Sequence, residues 1–416
     1  MSIRLKVARS AKELDDVFKL RYDVYVSERG KFSEKRASSD GRIVDHFDVL
    51  PGVANVVAYD GDTAIASFRV NKDSSVGLAP EKYFDFSNER AKITKLDEEC
   101  VALIVSCSML AIRKQWRNQR NVIFALFKKV TGVMHAWGAT HVFGAASAET
   151  FSLYGRLGVE AVAKDCWIES VGDRLVPVVG RFDKVFAWAF GPEISSAKSF
   201  WLDNSCAEFE TILLSPGEVL FHENDEAEYA YSIDKGEMSI SRQGPDKKDL
   251  VIARLCKGTL FGELAMFDDE RRTAMATATA TAVVNTQLIA IKRNHLLDII
   301  RDDPKKADQL LKHFSCRLRE TEHLAIVQQF SPETNRVAFV LNQLWGSAKK
   351  QKECSATRVL KIGAEQIAKQ AQLRESEVRR VLEICRASGG LDYADDMVHF
   401  FRAPVSEGAV NTGEAR

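Results

Sequence analysis

Between Leu260 and Ala274 the chain gathers a glycine, acids, two adjacent arginines and small residues in one run, Leu260-Phe261-Gly262-Glu263-Leu264-Ala265-Met266-Phe267-Asp268-Asp269-Glu270-Arg271-Arg272-Thr273-Ala274. These residue types can hold a small anion. Arginine presents a planar, permanently charged fork that meets phosphate oxygens with two hydrogen bonds. Backbone amides of a turn or helix start beside Gly262 add donors to the same anion. Glu263 accepts hydrogen bonds only, and so suits a sugar hydroxyl. The alternative is a surface Glu–Arg pair with no ligand.

In type and spacing this run resembles the phosphate-binding cassette of the cyclic-nucleotide-binding domain. The resemblance implies a singly charged 3′,5′-cyclic phosphate held by Gly262, Glu263, Leu264, Arg272 and Thr273, with Glu263 on the ribose 2′-OH. A hydroxyl after the arginine can also serve a guanine edge; cAMP is expected ahead of cGMP. Glu270 stands where that family often has proline, which affects loop stiffness more than chemistry.

Such residues need elements to position them. At 416 residues the chain is too long for one core, and roughly two to four domains are expected. Apolar residues make up 45% and charged residues 28%, an ordinary globular composition. Residues 1–204 alternate apolar strands (Ala54–Tyr59, Ala64–Val70) with amphipathic stretches such as Val122–Trp137, the pattern of a mixed α/β domain. Residues 205–292 are dense in short strands and turn dipeptides, which predicts a β-barrel or roll.

A long helix follows to about residue 330. Along it Leu311, Phe314, Leu318, Thr321, Ala325 and Gln328 recur at steps of three and four. That seam suits pairing with a second helix, and packing within one subunit gives the same spacing. Residues 331–403 read as helix, short strand, helix, turn, helix and hairpin, and residues 404–416 as a disordered tail. Residues 205–330 hold 16 Lys+Arg against 21 Asp+Glu, a net of −5, and residues 331–403 hold 12 against 9, a net of +3. The positive segment permits DNA binding without demanding it.

Residues 205–403 resemble the catabolite-activator and fumarate–nitrate regulator family over their whole length. That resemblance implies a homodimer through the 305–330 helix, with Thr321 presented to the purine. It also implies a winged helix-turn-helix on double-stranded DNA, read by Arg374, Glu375, Ser376, Arg379 and Arg380. Glu375 stands where that family usually has arginine, and Gln372 replaces a small turn residue. A winged helix kept for packing or protein contact remains the alternative.

The N-terminal segment resembles the acyl-homoserine-lactone synthases and the N-acyl amino acid synthases, both of the N-acetyltransferase-like fold. The resemblance rests on Leu20–Arg29, Asp45-His46-Phe47-Asp48, Phe68-Arg69-Val70 and Leu153-Tyr154-Gly155-Arg156-Leu157-Gly158. It implies an acyl thioester as co-substrate, Glu99 as base at the start of a central strand Val101–Ile112, and Tyr154 as acid. Arg21, Asp45, Asp48 and Arg69 are then expected to hold the acceptor. The loop Arg117–Val122 lacks the glycines of that fold. Arg113, Lys114, Arg117 and Arg120 form a basic rim instead, suited to an acyl carrier protein. Ala102 stands where the synthases have arginine, so a catalytically dead sensing domain is the competing reading. Glu28 and Arg29 are expected as solvated surface.

No run reaches the roughly 18 apolar residues of a membrane span. The eight cysteines are scattered singly, which argues against a metal cluster and for a reducing, cytoplasmic setting; no metal is expected. The expected fold class is multidomain α+β, joining an N-acetyltransferase-like domain, a β-roll with a long dimerisation helix, and a winged helix-turn-helix. The expected function is a cyclic-nucleotide-responsive transcription regulator carrying an acyltransferase-like domain. The alternative is an N-acyltransferase gated by the nucleotide module.

Overall fold

A computed structural model describes residues 2–32, 40–96, 102–190, 209–243, 249–267, 275–278, 286–302, scattered positions of a helix between 305 and 322, 331–350, 357–394 and 397–404. The chain opens with β1 (Ile3–Val7), which buries Ile3 and Leu5. Ser10 and Glu13 then form a capping box that starts α1 (Ala11–Tyr22). Instead of ending, this helix widens into a π-helical turn over Asp23–Glu28. A short 3₁₀ turn, His46–Val49, is capped from both ends of its own sequence: the Phe47 amide donates to Asp45 and the Asp45 amide to Asp48.

β2 (Val53–Asp60) and β3 (Thr63–Lys72) form an antiparallel hairpin buried almost continuously. Both of its faces are covered, so the alternation of a half-exposed strand is absent. Val17 and Leu20 of α1 pack on Val57 and Tyr59. Leu126 and Val130 of a later helix share the core of Val56, Ala58 and Phe68. After α2 (Ser87–Leu96), β4 (Ile104–Ile112) pairs antiparallel with β3. β4 begins at Ile104, and Val101, the expected start of the central strand, lies outside the described residues; the Leu103 carbonyl accepts from the Thr140 amide (2.8 Å) and hydroxyl (3.0 Å).

α3 (Arg120–Ala136) leads to β5 (His141–Ser147), which runs parallel to β4. Then come α4 (Phe151–Gly155), β6 (Val159–Ala161), β7 (Cys166–Ile168), β8 (Asp173–Arg181) and α5 (Phe182–Phe190). The roll consists of β9 (Glu210–Leu214), β10 (Val219–Phe221), β11 (Tyr229–Lys235), β12 (Glu237–Gln243), β13 (Asp249–Cys256), β14 (Leu260–Phe261), α6 (Leu264–Phe267), β15 (Met275–Ala278), β16 (Thr286–Lys292) and α7 (Arg293–Asp302). Its core is Ile212, Leu214, Ile233, Met238 and Leu288.

Among the described residues, one sheet of 12 strands runs through both regions in the order β14-β11-β16-β9-β1-β2-β3-β4-β5-β8-β6, with β7 also on β8. The strands β10, β15, β12 and β13 make a second sheet. Beyond α7, Leu311 and Leu318 stand exposed, while Phe314 packs on Phe267 with ring centroids 6.2 Å apart. Thr321, Ala325 and Gln328 lie outside the described residues.

The last region holds α8 (Glu333–Ser347), β17 (Lys349–Lys350), β18 (Arg358–Leu360), α9 (Ala364–Ala371), α10 (Glu375–Ala387), β19 (Leu391–Ala394) and β20 (Met397–Phe400), the strands ordered β17-β18-β20-β19. Ile367, Val378, Leu382 and Phe400 build its core. Between α9 and α10, Gln372 adopts a left-handed backbone (φ 53°). Among the described residues, no helix is long and apolar enough to cross a membrane.

Candidate functional site

The N-terminal region encloses a cavity of about 380 Å³, within the usual size range of small-molecule sites. Its wall is largely apolar, with Phe68, Phe127, Val130, Met134, Phe143 and Leu157 among its side chains, and it also carries Tyr25, Asp45, Arg69, Ser108 and Tyr154. The cavity exists because β4 and β5 separate. They pair only from Ile104 with His141 to Cys107 with Gly144, after which β5 continues on β8 alone. At the same place β4 bulges from β3: the register jumps from Ser108 with Arg69 to Ala111 with Ser67. Met109 takes φ 56°, costly for a residue with a Cβ. Met109 and Leu110 therefore have no register partner on either neighbouring strand. The Leu110 carbonyl is satisfied by the Tyr25 hydroxyl, which donates to it at 2.8 Å. Tyr25 stands on the π-helical turn, and its side chain reaches β4 from there.

Four charged residues singled out in the sequence converge beside this opening. Arg21 donates through Nη1 to both oxygens of Asp48 (2.9 and 3.0 Å) and through Nη2 to Asn55. Arg69 donates to Asp45 through Nη1 (2.6 Å) and Nη2 (3.2 Å), and to Ser108 through Nε (3.0 Å). Its Nη1 also reaches Asp48 at 2.9 Å. The side chains of Arg21 and Asp48 are fully enclosed, whereas Asp45 keeps 14% of its side chain exposed. Asp45 and Arg69 line the cavity, and Arg21 and Asp48 do not. Arg21 and Asp48 thus tie α1 to the 3₁₀ turn, and leave Asp45 and Arg69 on the cavity wall. Burial raises the Asp45 carboxyl, but the hydrogen bonds and charge of Arg69, with Lys82 and the Phe47 amide, together outweigh it and hold the group below the usual range. Burial lowers Arg69, and its two carboxylates more than reverse this.

Tyr154 on α4 lies against Phe127, ring centroids 5.8 Å apart, and burial raises its hydroxyl so that it stays protonated at neutral pH. Burial also pushes the Tyr25 hydroxyl and the Cys107 thiol up to about 12. Glu99, the expected base, lies outside the described residues. The basic rim is partly neutralised. Arg113 donates to Asp23 at 2.9 Å, Arg117 pairs with Glu28, and the Lys114 amide donates to Glu28 at 3.1 Å. Glu28 is exposed, as expected, and also joins the π-helical turn to this loop.

In the roll, β14 ends at Gly262, whose left-handed backbone (φ 72°) turns the chain into α6. Glu263 is fully buried at the turn and Leu264 is 49% exposed. This described half of the cassette has the tight turn and short helix start that a phosphate cradle requires. Arg272, Thr273 and Thr321 lie outside the described residues.

On α10, Arg374 is the N-cap residue and Ser376 is exposed. Arg379 pairs with Glu375 at 2.6 Å, and Arg380 with Glu333 of α8. The arginines expected at a nucleic-acid surface are thus engaged by acids of the same chain. Such exposed pairs are each worth only about 0.2–1 kcal/mol, little enough for a stronger anion to displace.

Sequence reasoning missed Tyr25 as a strand anchor, Ser108, and the pair of Lys31 with Asp173 on the cavity wall. Tyr25 lies four residues after Arg21 on one helical face, a signal that was available. Lys31 and Asp173 are 142 residues apart and carry none.

Residues 16–179 match the family profile described as N-acyl amino acid synthase FeeM, and residues 211–303 match the cyclic nucleotide-binding domain. The chain is similar to the cyclic AMP receptor protein of Thermus thermophilus, 30% identical over 143 residues that make up 34% of this chain and 64% of that relative. It thus spans less than two thirds of that relative's length. Among solved structures it is similar to FixK2 from Bradyrhizobium japonicum, with TM-score 0.40 and 19% identity over 47% of this chain and 92% of that one. It is also similar to FeeM, an N-acyl amino acid synthase from uncultured soil microbes, with TM-score 0.37 and 13% identity over 45% of this chain and 94% of that one.

Proposed function

We propose that residues 1–204 act as an N-acyltransferase, moving an acyl group from a thioester to an amine such as that of an amino acid. The rest of the chain responds to a cyclic nucleotide, cAMP ahead of cGMP. The observation that carries this reading is the apolar cavity opening at the split between β4 and β5, with Asp45 and Arg69 on its wall. Its chemistry balances. The amine nitrogen bonds to the thioester carbon, the C–S bond breaks, the amine proton goes to a base, and the thiolate takes a proton from an acid. Asp45, ionised at neutral pH, suits an acceptor's ammonium, and Arg69 suits its carboxylate. Backbone amides at Met109 and Leu110, released from both ladders, suit the tetrahedral oxyanion. Tyr154 stays protonated and suits the leaving thiolate. Glu99 is the candidate base.

A second reading, transcription regulation, is favoured by a separate observation. α9, the Gln372 turn, α10 and the β19–β20 hairpin follow in the order of a winged helix-turn-helix, with Ser376, Arg379 and Arg380 at the exposed start of α10. The two readings are compatible in one chain, with a homodimer through the 305–330 helix serving the second. Mass spectrometry of lipid extracts tests the first. A bacterial host expressing wild type should accumulate N-acyl amines that are absent with Glu99→Gln. Identical extracts would leave a ligand-sensing domain on a DNA-binding regulator, to be tested by operator selection from random sequence.

A further inference from the structure

Strand β11 belongs to two sites at once. At one end of its pairing, Tyr231 and Ser232 oppose Phe261 and Leu260 of β14, the strand that runs directly into Gly262 and Glu263 of the nucleotide cassette. Two residues on, the Ile233 amide donates to the Thr259 carbonyl (3.1 Å) and the Ile233 carbonyl accepts from the Gly258 amide (2.7 Å), pinning the turn before that cassette. The next residue is Asp234. There the ladder with β16 shifts register, and the Asp234 side chain, 2% exposed, leaves the roll altogether. Both its oxygens accept from Lys128 Nζ on α3, at 2.9 and 2.7 Å. Lys235 then places its ammonium 5.6 Å from the centre of the Phe124 ring, one turn earlier on α3.

α3 is equally committed to the cavity. Ile123, Phe127, Val130, Thr131 and Met134 line it, at the spacing of one helical face. The neighbouring face meets the roll through Lys128, and through the buried Lys129 ammonium, which donates to the Phe209 carbonyl just before β9. β9 in turn pairs with β1 from Ile3 with Leu213 to Leu5 with Thr211, and Leu213 sits in the same apolar core as Val130 and Met134. The buried ion pair and the three-pair ladder thus join the two regions directly.

We infer that the cavity reads the state of the nucleotide site through β11 and α3, with the Asp234–Lys128 pair as the joint. This rests on the acyltransferase reading above and names how that site is regulated. A nucleotide that favours one arrangement of the 258–263 turn moves β11, and Lys128 transmits this to the helix that forms the cavity wall. Only a difference in affinity between two arrangements can do so, and the coupling is reciprocal for binding.

The test uses the full chain, cAMP as probe, and two readouts. Hydrogen exchange over residues 120–136 is measured with and without cAMP, and cAMP affinity is measured with and without a long-chain acyl-CoA. In wild type, cAMP should change exchange in α3, and acyl-CoA should shift the cAMP Kd by about fivefold or more. In Asp234→Asn, and separately in Lys128→Met, cAMP should still bind, but the Kd shift should shrink to within about twofold of unity. Two separate substitutions guard against one that merely misfolds. An unaltered shift in both variants, no exchange change in α3 with cAMP bound, or no binding of cAMP would each overturn the inference. Coupling that persists while no N-acyl product forms would instead refute only the acyltransferase reading.

Discussion

Replacing Asp48 with alanine isolates what the buried charge cluster contributes. The substitution leaves Arg21 with no carboxylate in a site where both side chains are fully enclosed. Breaking a buried pair from one side costs about 3–5 kcal/mol, mostly because a charge is left without compensation. For a domain of 150–250 residues each kcal/mol shifts the thermal midpoint by about 2–4 °C, so the fall should be roughly 6–20 °C. Asp45→Ala should cost less, since Arg69 keeps Asp48 at 2.9 Å and Asp45 is already 14% exposed. Replacing both members, as Arg21→Met with Asp48→Leu, should recover part of the Asp48→Ala loss, because no unpaired charge remains. Differential scanning calorimetry with urea unfolding reads all three variants. An Asp48→Ala loss below about 1 kcal/mol, the range of a surface pair, would refute the claim that this cluster clasps α1 to the 3₁₀ turn.

Further outcomes follow from the same geometry. Burial opposes the Glu13 charge, but the Arg9 and Ser10 amides and Lys6 draw its carboxyl down to about 2. Its stabilisation is complete above the ordinary glutamate value and should be lost as pH falls from about 4.5 toward 2, a drop that Glu13→Gln makes shallower in acid titrations followed by circular dichroism. Gln372→Gly removes the cost of a left-handed backbone on a residue with a Cβ; the urea midpoint should rise by about 0.5–1 kcal/mol equivalent with an unchanged slope. Tyr154→Phe keeps the packing on Phe127 but removes the proton donor. In acyl-transfer kinetics kcat should fall by about 10²-fold with KM little changed.

The parts of the fold visible in the sequence were those governed by local pattern. The β2–β3 hairpin follows from its apolar runs, α3 from its periodicity, and the turn at Gly262 from a glycine placed before an acid. The meeting of Arg21, Asp45, Asp48 and Arg69 followed from family resemblance, but their division of labour did not. Which acid faces the cavity depends on which one caps the 3₁₀ turn from the enclosed side, and that is set by packing of α1 against β2 and β3. The bulge at Met109 was equally hidden, since methionine gives no sign of positive φ. The sheet shared by the two regions was hidden for another reason. β1 and β9 are more than 200 residues apart, and nothing in either strand marks its partner, because the ladder is made by backbone groups that every strand carries.

The most direct test of the central claim is turnover by the purified full chain. It would be given long-chain acyl-CoA or acyl-carrier-protein thioester, a mixture of free amino acids and cAMP, with released thiol and N-acyl product followed together. Wild type should release thiol and form an N-acyl amino acid in equal amounts, and Glu99→Gln should form neither above background. A folded, cAMP-binding protein that yields no product from either thioester would contradict the account.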